Sequence, residues 1–213
     1  MYWNHQDNYV ENGKSENSFA PIPWDENYNI FFRLFLLKLK VIIDNSEHNI
    51  NAIEITGGSN TNGIETNFVC SDKELERIQF TYSKYSNNWK KIIDNFTELF
   101  PKKILTLAIH DTFGSKRSNM VAKELIEYCN LKYADKIKIA AYAFTEEDWF
   151  NKGNQYANLV LELPSQDIVL QSIKIYSTKD NQTKFDKMLI KAISINPVWL
   201  EIWGEDILKG FLN

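Results

Sequence analysis

The sequence predicts an α+β fold: one domain in which a mixed or mainly antiparallel sheet is covered by amphipathic helices. Three observations carry this. Two alternating apolar/polar runs within residues 53–68 flank a Gly/Asn-rich loop, as in a β-hairpin. The stretch from Pro101 to Phe144 reads as a buried strand, a polar loop, an amphipathic helix and a second strand. Helical spacings elsewhere alternate with short strand-like runs.

Taken in order, residues 1–27 form an extended, aromatic-dotted segment, with Pro21 and Pro23 holding its end extended. The domain proper is residues 28–213. Ile30, Leu34, Leu37 and Val41 follow helical spacing, and Phe31, Phe35 and Leu39 widen the apolar face. The run Ile30–Ile43 is interrupted by Arg33, Lys38 and Lys40 and is too short to span a bilayer, so it reads as core. Ile53 and Ile55, then GGSNTNG, then Ile64, Thr66 and Phe68 give the hairpin.

Ser71-Asp72-Lys73-Glu74 is a capping box opening a short helix. Trp89, Ile92, Ile93, Phe96 and Leu99 mark a second helix, stopped at Pro101. Both faces of Ile104–Ile109 are mainly apolar, which suits an interior strand. Val121, Ala122, Leu125, Tyr128 and Cys129 line the next helix, and Ile137–Ala143 alternate as a strand. Thr145-Glu146-Glu147-Asp148 has acids where a helix start favours them. Asn158–Pro164 alternates as a strand stopped by its proline, while Ser165–Tyr176 fits helix or strand. Phe185, Met188, Leu189, Ala192 and Ile193 define a helix. Asn196-Pro197 then reads as an N-cap and first helical position, opening a Trp-rich end.

Composition bounds the function classes. The chain has 213 residues, 44% of them hydrophobic and 14% aromatic, enough for one sizeable core and too apolar for disorder. A net charge of −4 argues against a general nucleic-acid binder. Cys70 and Cys129 lack metal-like spacing and read as free buried thiols, which fits a reducing cytoplasm. The N-terminus is not basic-then-apolar, so a cleavable signal is not expected.

The loop His110–Asn119 joins a strand to a helix and holds the features of an anion site. Gly114 lets backbone approach, Lys116 and Arg117 supply charge, and Ser115 and Ser118 supply hydroxyls. It lacks the two-glycine Walker pattern and GxGxxG, and glycine and serine serve turning and capping equally well. His110 and Asp111 are adjacent, and adjacent strand residues point to opposite faces, so they do not form a pair. No HxH, HExxH, CxxC or GxSxG occurs, and no metal or cofactor is expected. Two acidic clusters adjoin aromatics: Glu146, Glu147 and Asp148 before Trp149 and Phe150, and Glu205 and Asp206 after Trp199 and Trp203. Aromatics with a charged rim have the composition of a protein-binding surface, although packing of those tryptophans in the core is the plainer role.

Asn158-Leu159-Val160-Leu161-Glu162-Leu163-Pro164, an amphipathic helix, and Asn196-Pro197-Val198-Trp199 follow one another in the C-terminal half. This order resembles the immunity proteins of bacterial polymorphic toxin systems, and is most similar to the family called immunity protein 52. Tyr2-Trp3 and the helix at 28–43 are compatible with it, whereas that family's mid-chain Trp/Gly-Ser pattern has no counterpart here. The resemblance implies a cytoplasmic, non-catalytic inhibitor that binds one toxin domain and uses no cofactor.

The first expectation is therefore a toxin-neutralising binding protein, monomeric or homodimeric, bound to neither nucleic acid nor membrane. Its expected contact residues are Glu146, Glu147, Asp148, Trp149, Glu205 and Asp206. The second is a nucleotide- or phosphate-binding enzyme using Gly114, Ser115, Lys116, Arg117 and Ser118. The third is a subunit of a phage or plasmid-encoded assembly that buries the Trp-rich end.

Overall fold

The computed structural model describes residues 2–6, 17–59, 64–112, 118–147, 155–177 and 181–211. Strands β1 (Tyr2–Gln6) and β2 (Asn17–Pro21) pair antiparallel as a separate two-stranded sheet. Helix α1 (Glu26–Asp44) follows, started by Asp25, whose Oδ1 accepts from the amides of Asn27 (3.0 Å) and Tyr28 (3.3 Å). Then come β3 (Ala52–Glu54), α2 (Asp72–Arg77), α3 (Tyr82–Leu99), β4 (Ile104–Ala108), α4 (Met120–Tyr133) and β5 (Ile137–Phe144). The chain closes with α5 (Gln155–Leu161), β6 (Ile168–Ser172), α6 (Gln182–Ile195), β7 (Trp199–Glu201) and α7 (Gly204–Leu208).

The main sheet corrects the expected fold class. Its order is β3-β4-β5-β6-β7, every neighbouring pair is parallel, and it curls into a half-barrel, so the fold is α/β. Each strand returns to its neighbour through at least one helix, the crossover that parallel pairing requires. The order never reverses, so the helices gather on one face and the sheet bends away from them.

Three sequence assignments fail for identifiable reasons. Residues 64–68 do not return alongside β3; β3 pairs instead with β4, Glu54 opposite Thr106. Thr66 crosses the end of β4, its amide donating to the Ala108 carbonyl (3.0 Å) and its Oγ1 accepting from the His110 amide (2.8 Å). Two of the glycines that suggested a hairpin turn, Gly57 and Gly58, serve close packing. A Cβ on Gly57, at φ 103°, would lie 2.2 Å from Phe32 Cζ, and one on Gly58 would lie 2.4 Å from Trp89 Cε2. The second failure is Asn158–Pro164, most of which belongs to α5. Tyr156, Ala157 and Val160 are its buried face, a spacing that so short a run shares with alternation. The strand is β6, inside the stretch whose sequence fits either state. Asn196 likewise ends α6 in the left-handed conformation (φ 56°, ψ 52°) rather than starting a helix.

Strand β7 lies where the sequence predicts a helix after Pro197, and residues 145–147 are not helical, whereas α2, α3, β4, α4, β5 and α6 form where the sequence predicts them. Ser71 and Glu74 complete the capping box of α2. The α3 face of Trp89, Ile92, Ile93 and Phe96 is fully buried. It joins Leu105, Leu107, Ile139 and Leu170 of the sheet, and Leu125 and Phe185 of the helices, in the principal core. Each such side chain contributes about 1.5–3 kcal/mol by leaving water. A second, smaller cluster of Ala108, Ala140, Tyr142 and Val169 covers the opposite, concave face.

Candidate functional site

Parallel strands carry functional side chains on their C-terminal ends and on the concave face of the sheet they curl. Register places Glu54, Thr106 and Lys138 side by side across β3, β4 and β5. Ala108, Ala140, Val169 and Trp199 form the next row, and Gln171 faces Glu201 beyond it. Glu201 accepts hydrogen bonds from Gln171 Nε2 (2.8 Å) and Trp199 Nε1 (3.2 Å). Lys138 pairs with Asp167 at 2.7 Å. Glu54 meets Tyr142, while its Oε1 is buried with no hydrogen-bond partner. Burial pushes the Glu54 carboxyl up to about 7, against the Tyr142 hydrogen bond and with help from the charges of Glu201 and Glu65. The Tyr142 hydroxyl is raised well above its ordinary value, first by burial and then by Glu54. A carboxyl that changes charge near neutrality can carry a proton. Ile64 and Trp199 pack onto the small cluster, however, so this face is a filled half-barrel interior.

The outer surface holds a different feature. Helix α1 was expected to be core, and the structure corrects this: Leu36 is its one buried residue. Phe32, Leu39 and Ile43 are partly buried against the core. Ile30, Phe31, Leu34, Phe35, Leu37, Val41 and Ile42 are exposed, from 41% at Leu37 to 69% at Phe31. The inner side is held by Phe32 against Phe96, by Arg33 Nη2 to Glu98 (2.7 Å), and by Asn29 Nδ2 to Asn88 Oδ1 (3.0 Å). The helix is thus fixed by one narrow stripe and presents a broad apolar face outward. Contiguous exposed patches of this kind mark interaction sites. A groove of about 370 Å³ runs beside it, lined by residues that include Ile30, Arg33, Lys91 and Asp94.

The acidic clusters do not make a matched pair of surface patches. Glu146 has a side chain only 6% exposed and accepts from Tyr176 Oη (2.7 Å) and Lys174 Nζ (3.1 Å). Burial opposes its charge, but these hydrogen bonds prevail and hold its carboxyl below the usual range. Glu147 is exposed and pairs with Lys174 at 2.6 Å. Asp206 is fully buried and accepts from the Ser177 amide (2.7 Å), while Glu205 is exposed. Glu146 and Asp206 therefore pin the same exit segment of β6, Lys174–Ser177. Asp148 and Trp149 lie outside the described residues.

Of the proposed anion loop, Gly114, Ser115, Lys116 and Arg117 also lie outside them. Ser118 bridges Thr112 in both directions, Thr112 amide to Ser118 carbonyl at 2.9 Å and the reverse at 3.1 Å. The Asp111 carboxylate does not orient His110: its two oxygens accept from the amides of Gln155 (2.8 Å) and Tyr156 (3.0 Å), capping α5, and it is the Asp111 backbone carbonyl that lies 3.1 Å from His110 Nδ1. The His110 ring lies against Tyr156, centroids 4.6 Å apart.

No group of three or more potential metal-ligating side chains occurs among the described residues. No helix among them is long and apolar enough to cross a membrane. Cys129 is buried and Cys70 half-buried, both thiols free and pushed by burial up to about 12, which suits packing rather than nucleophilic chemistry. Comparison with protein-family models, with curated proteins and with solved structures finds no match to this chain.

Proposed function

We propose that this is a non-catalytic binding protein that acts by docking another protein onto α1, and that neutralisation of a toxin domain is the form this binding takes. The observation that carries the reading is the exposed face of α1, with Phe31 69% and Ile42 67% accessible. A half-barrel needs an outer helix that covers its core, and Leu36 with the partly buried Phe32 already does so. Keeping seven further large apolar side chains in water weakens solubility unless a partner removes them. The toxin-specific part rests on the sequence resemblance alone, and the element expected there as a strand is mostly helix α5.

The test is capture from the native cell on immobilised protein, wild type beside Phe31→Glu/Leu34→Glu/Phe35→Glu, followed by reconstitution with the purified partner. A stoichiometric partner retained by wild type and lost by the folded variant supports the reading. Retention unchanged by the variant refutes it. If the partner is a toxin, co-expression restores growth with wild type and not with the variant. The phosphate-binding alternative is tested separately: a nucleotide-induced thermal shift abolished by Lys116→Ala/Arg117→Ala supports it.

A further inference from the structure

The α1 face has a periodicity that narrows its partner. Ile30, Leu34, Leu37 and Val41 stand at spacings of four, three and four, the a/d alternation of a coiled-coil seam, and all four are exposed. Phe31, Phe35 and Ile42 widen it on one side. A flat or concave partner would engage such a face irregularly, whereas a second helix laid along it fills the seam turn by turn.

Charge then separates the possible helices. Between residues 27 and 43, α1 carries Arg33, Lys38 and Lys40 and no acidic side chain. Arg33 is paired with Glu98 and Lys40 with Asp44. Lys38 is exposed and has no ion pair among the described residues. A second copy of α1 laid parallel would bring each base beside its own counterpart. Laid antiparallel about the middle of the helix, it would bring Arg33 toward Lys38 of the other copy. The acids of α1, Glu26 and Asp44, stand at its two ends, so in neither arrangement does one come opposite Lys38. Self-pairing therefore brings like charges together along the seam, which selects against it. The groove beside Ile30 adds one more base, Lys91, and is lined as well by the acids Glu26 and Asp94.

Resting on the binding reading above, we propose that the partner segment docked on α1 is an amphipathic helix with a Leu/Ile seam and acidic residues flanking it. Its seam side chains fill the row from Ile30 to Val41. Its carboxylates lie over Lys38, the exposed base that the described residues leave without an ion pair. The partner is therefore a different chain from this one.

The experiment uses the full chain and two fluorescent helical peptides of four heptads. Both carry Ile and Leu at the seam, one with Glu and the other with Lys at the flanking positions. Anisotropy titration should show saturable binding of the Glu peptide, roughly tenfold or more tighter than the Lys peptide and weakened by salt. Leu34→Glu/Leu37→Glu should abolish it, and Lys38→Glu should erase most of the preference, with both variants retaining the wild-type circular dichroism spectrum. Equal binding of the two peptides overturns the acidic-partner inference while leaving α1 as a docking face. Binding of neither, or binding untouched by Leu34→Glu/Leu37→Glu, overturns the docking reading itself. Two other results also overturn the inference. One is a wild-type dimer in sedimentation that Leu34→Glu/Leu37→Glu dissociates. The other is α1-dependent binding to phosphatidylserine vesicles in place of the Glu peptide.

Discussion

Asp111, just beyond the end of β4, accepts hydrogen bonds from the amides of Gln155 and Tyr156 at 2.8 and 3.0 Å, so one buried carboxylate starts the helix that follows β5. The contact ties consecutive crossover units together on the C-terminal side of the sheet. Asp111→Ala leaves two amide donors without their acceptor, and should cost about 2 kcal/mol, read as a lower urea midpoint at unchanged slope.

Gly58→Ala tests the packing of β3's exit against α3. The added methyl meets the rigid indole of Trp89 at 2.4 Å, which a flexible side chain could escape and a fully buried ring cannot. A loss of about 1–3 kcal/mol in thermal or urea unfolding is expected. If this loop were a surface hairpin turn, the substitution would be nearly silent.

Glu54 gives stability a pH signature. Burial raises its carboxyl from the ordinary 4.5 to about 7, so the folded chain binds this proton more tightly than the unfolded one. Folding takes up a proton between those values, and the Glu54 contribution falls as pH rises from about 4.5 to about 7, then stays flat. Glu54→Gln removes that slope. With allowance for solvent screening of a partly accessible group, it should gain about 1–2 kcal/mol over wild type at pH 8 and nothing at pH 4. Parallel urea titrations of the two proteins check it.

The two sides of α1 should respond in opposite ways. Leu36→Ala removes a fully buried side chain and should cost about 2–5 kcal/mol. Phe31→Ser and Leu34→Ser lie on the exposed face and should change stability by no more than about 0.5 kcal/mol. Differential scanning calorimetry of the three variants separates a docking face from a core face.

What could be read in the sequence was local. The capping box at Ser71–Glu74, the α3 stripe from Trp89 to Leu99, and the alternation of Ile137–Ala143 specify their own elements, because helix and strand periods are properties of neighbours. Strand partners are not. Ile53 and Glu54 alternate equally well for a hairpin and for a short edge strand, and the choice of β4 depends on residues some fifty positions away. The same limit hid the concave cluster: Glu54 and Glu201 come from opposite edges of the sheet, and only the curl brings their charges together. Asp206 carried a surface composition yet is buried, because Ser177 offers its amide to the carboxylate. The α1 face did leave a signal. Apolar residues occupy more of its circumference than one stripe against a core requires, and that excess is what the fold leaves outside.

Carbene footprinting of Phe31 and Phe35 tests the central claim most directly, on the purified chain and on the same chain inside its native cell. Docking on α1 predicts strong labelling of both rings in the purified protein and marked protection in the cell. Equal labelling in the two settings would contradict it.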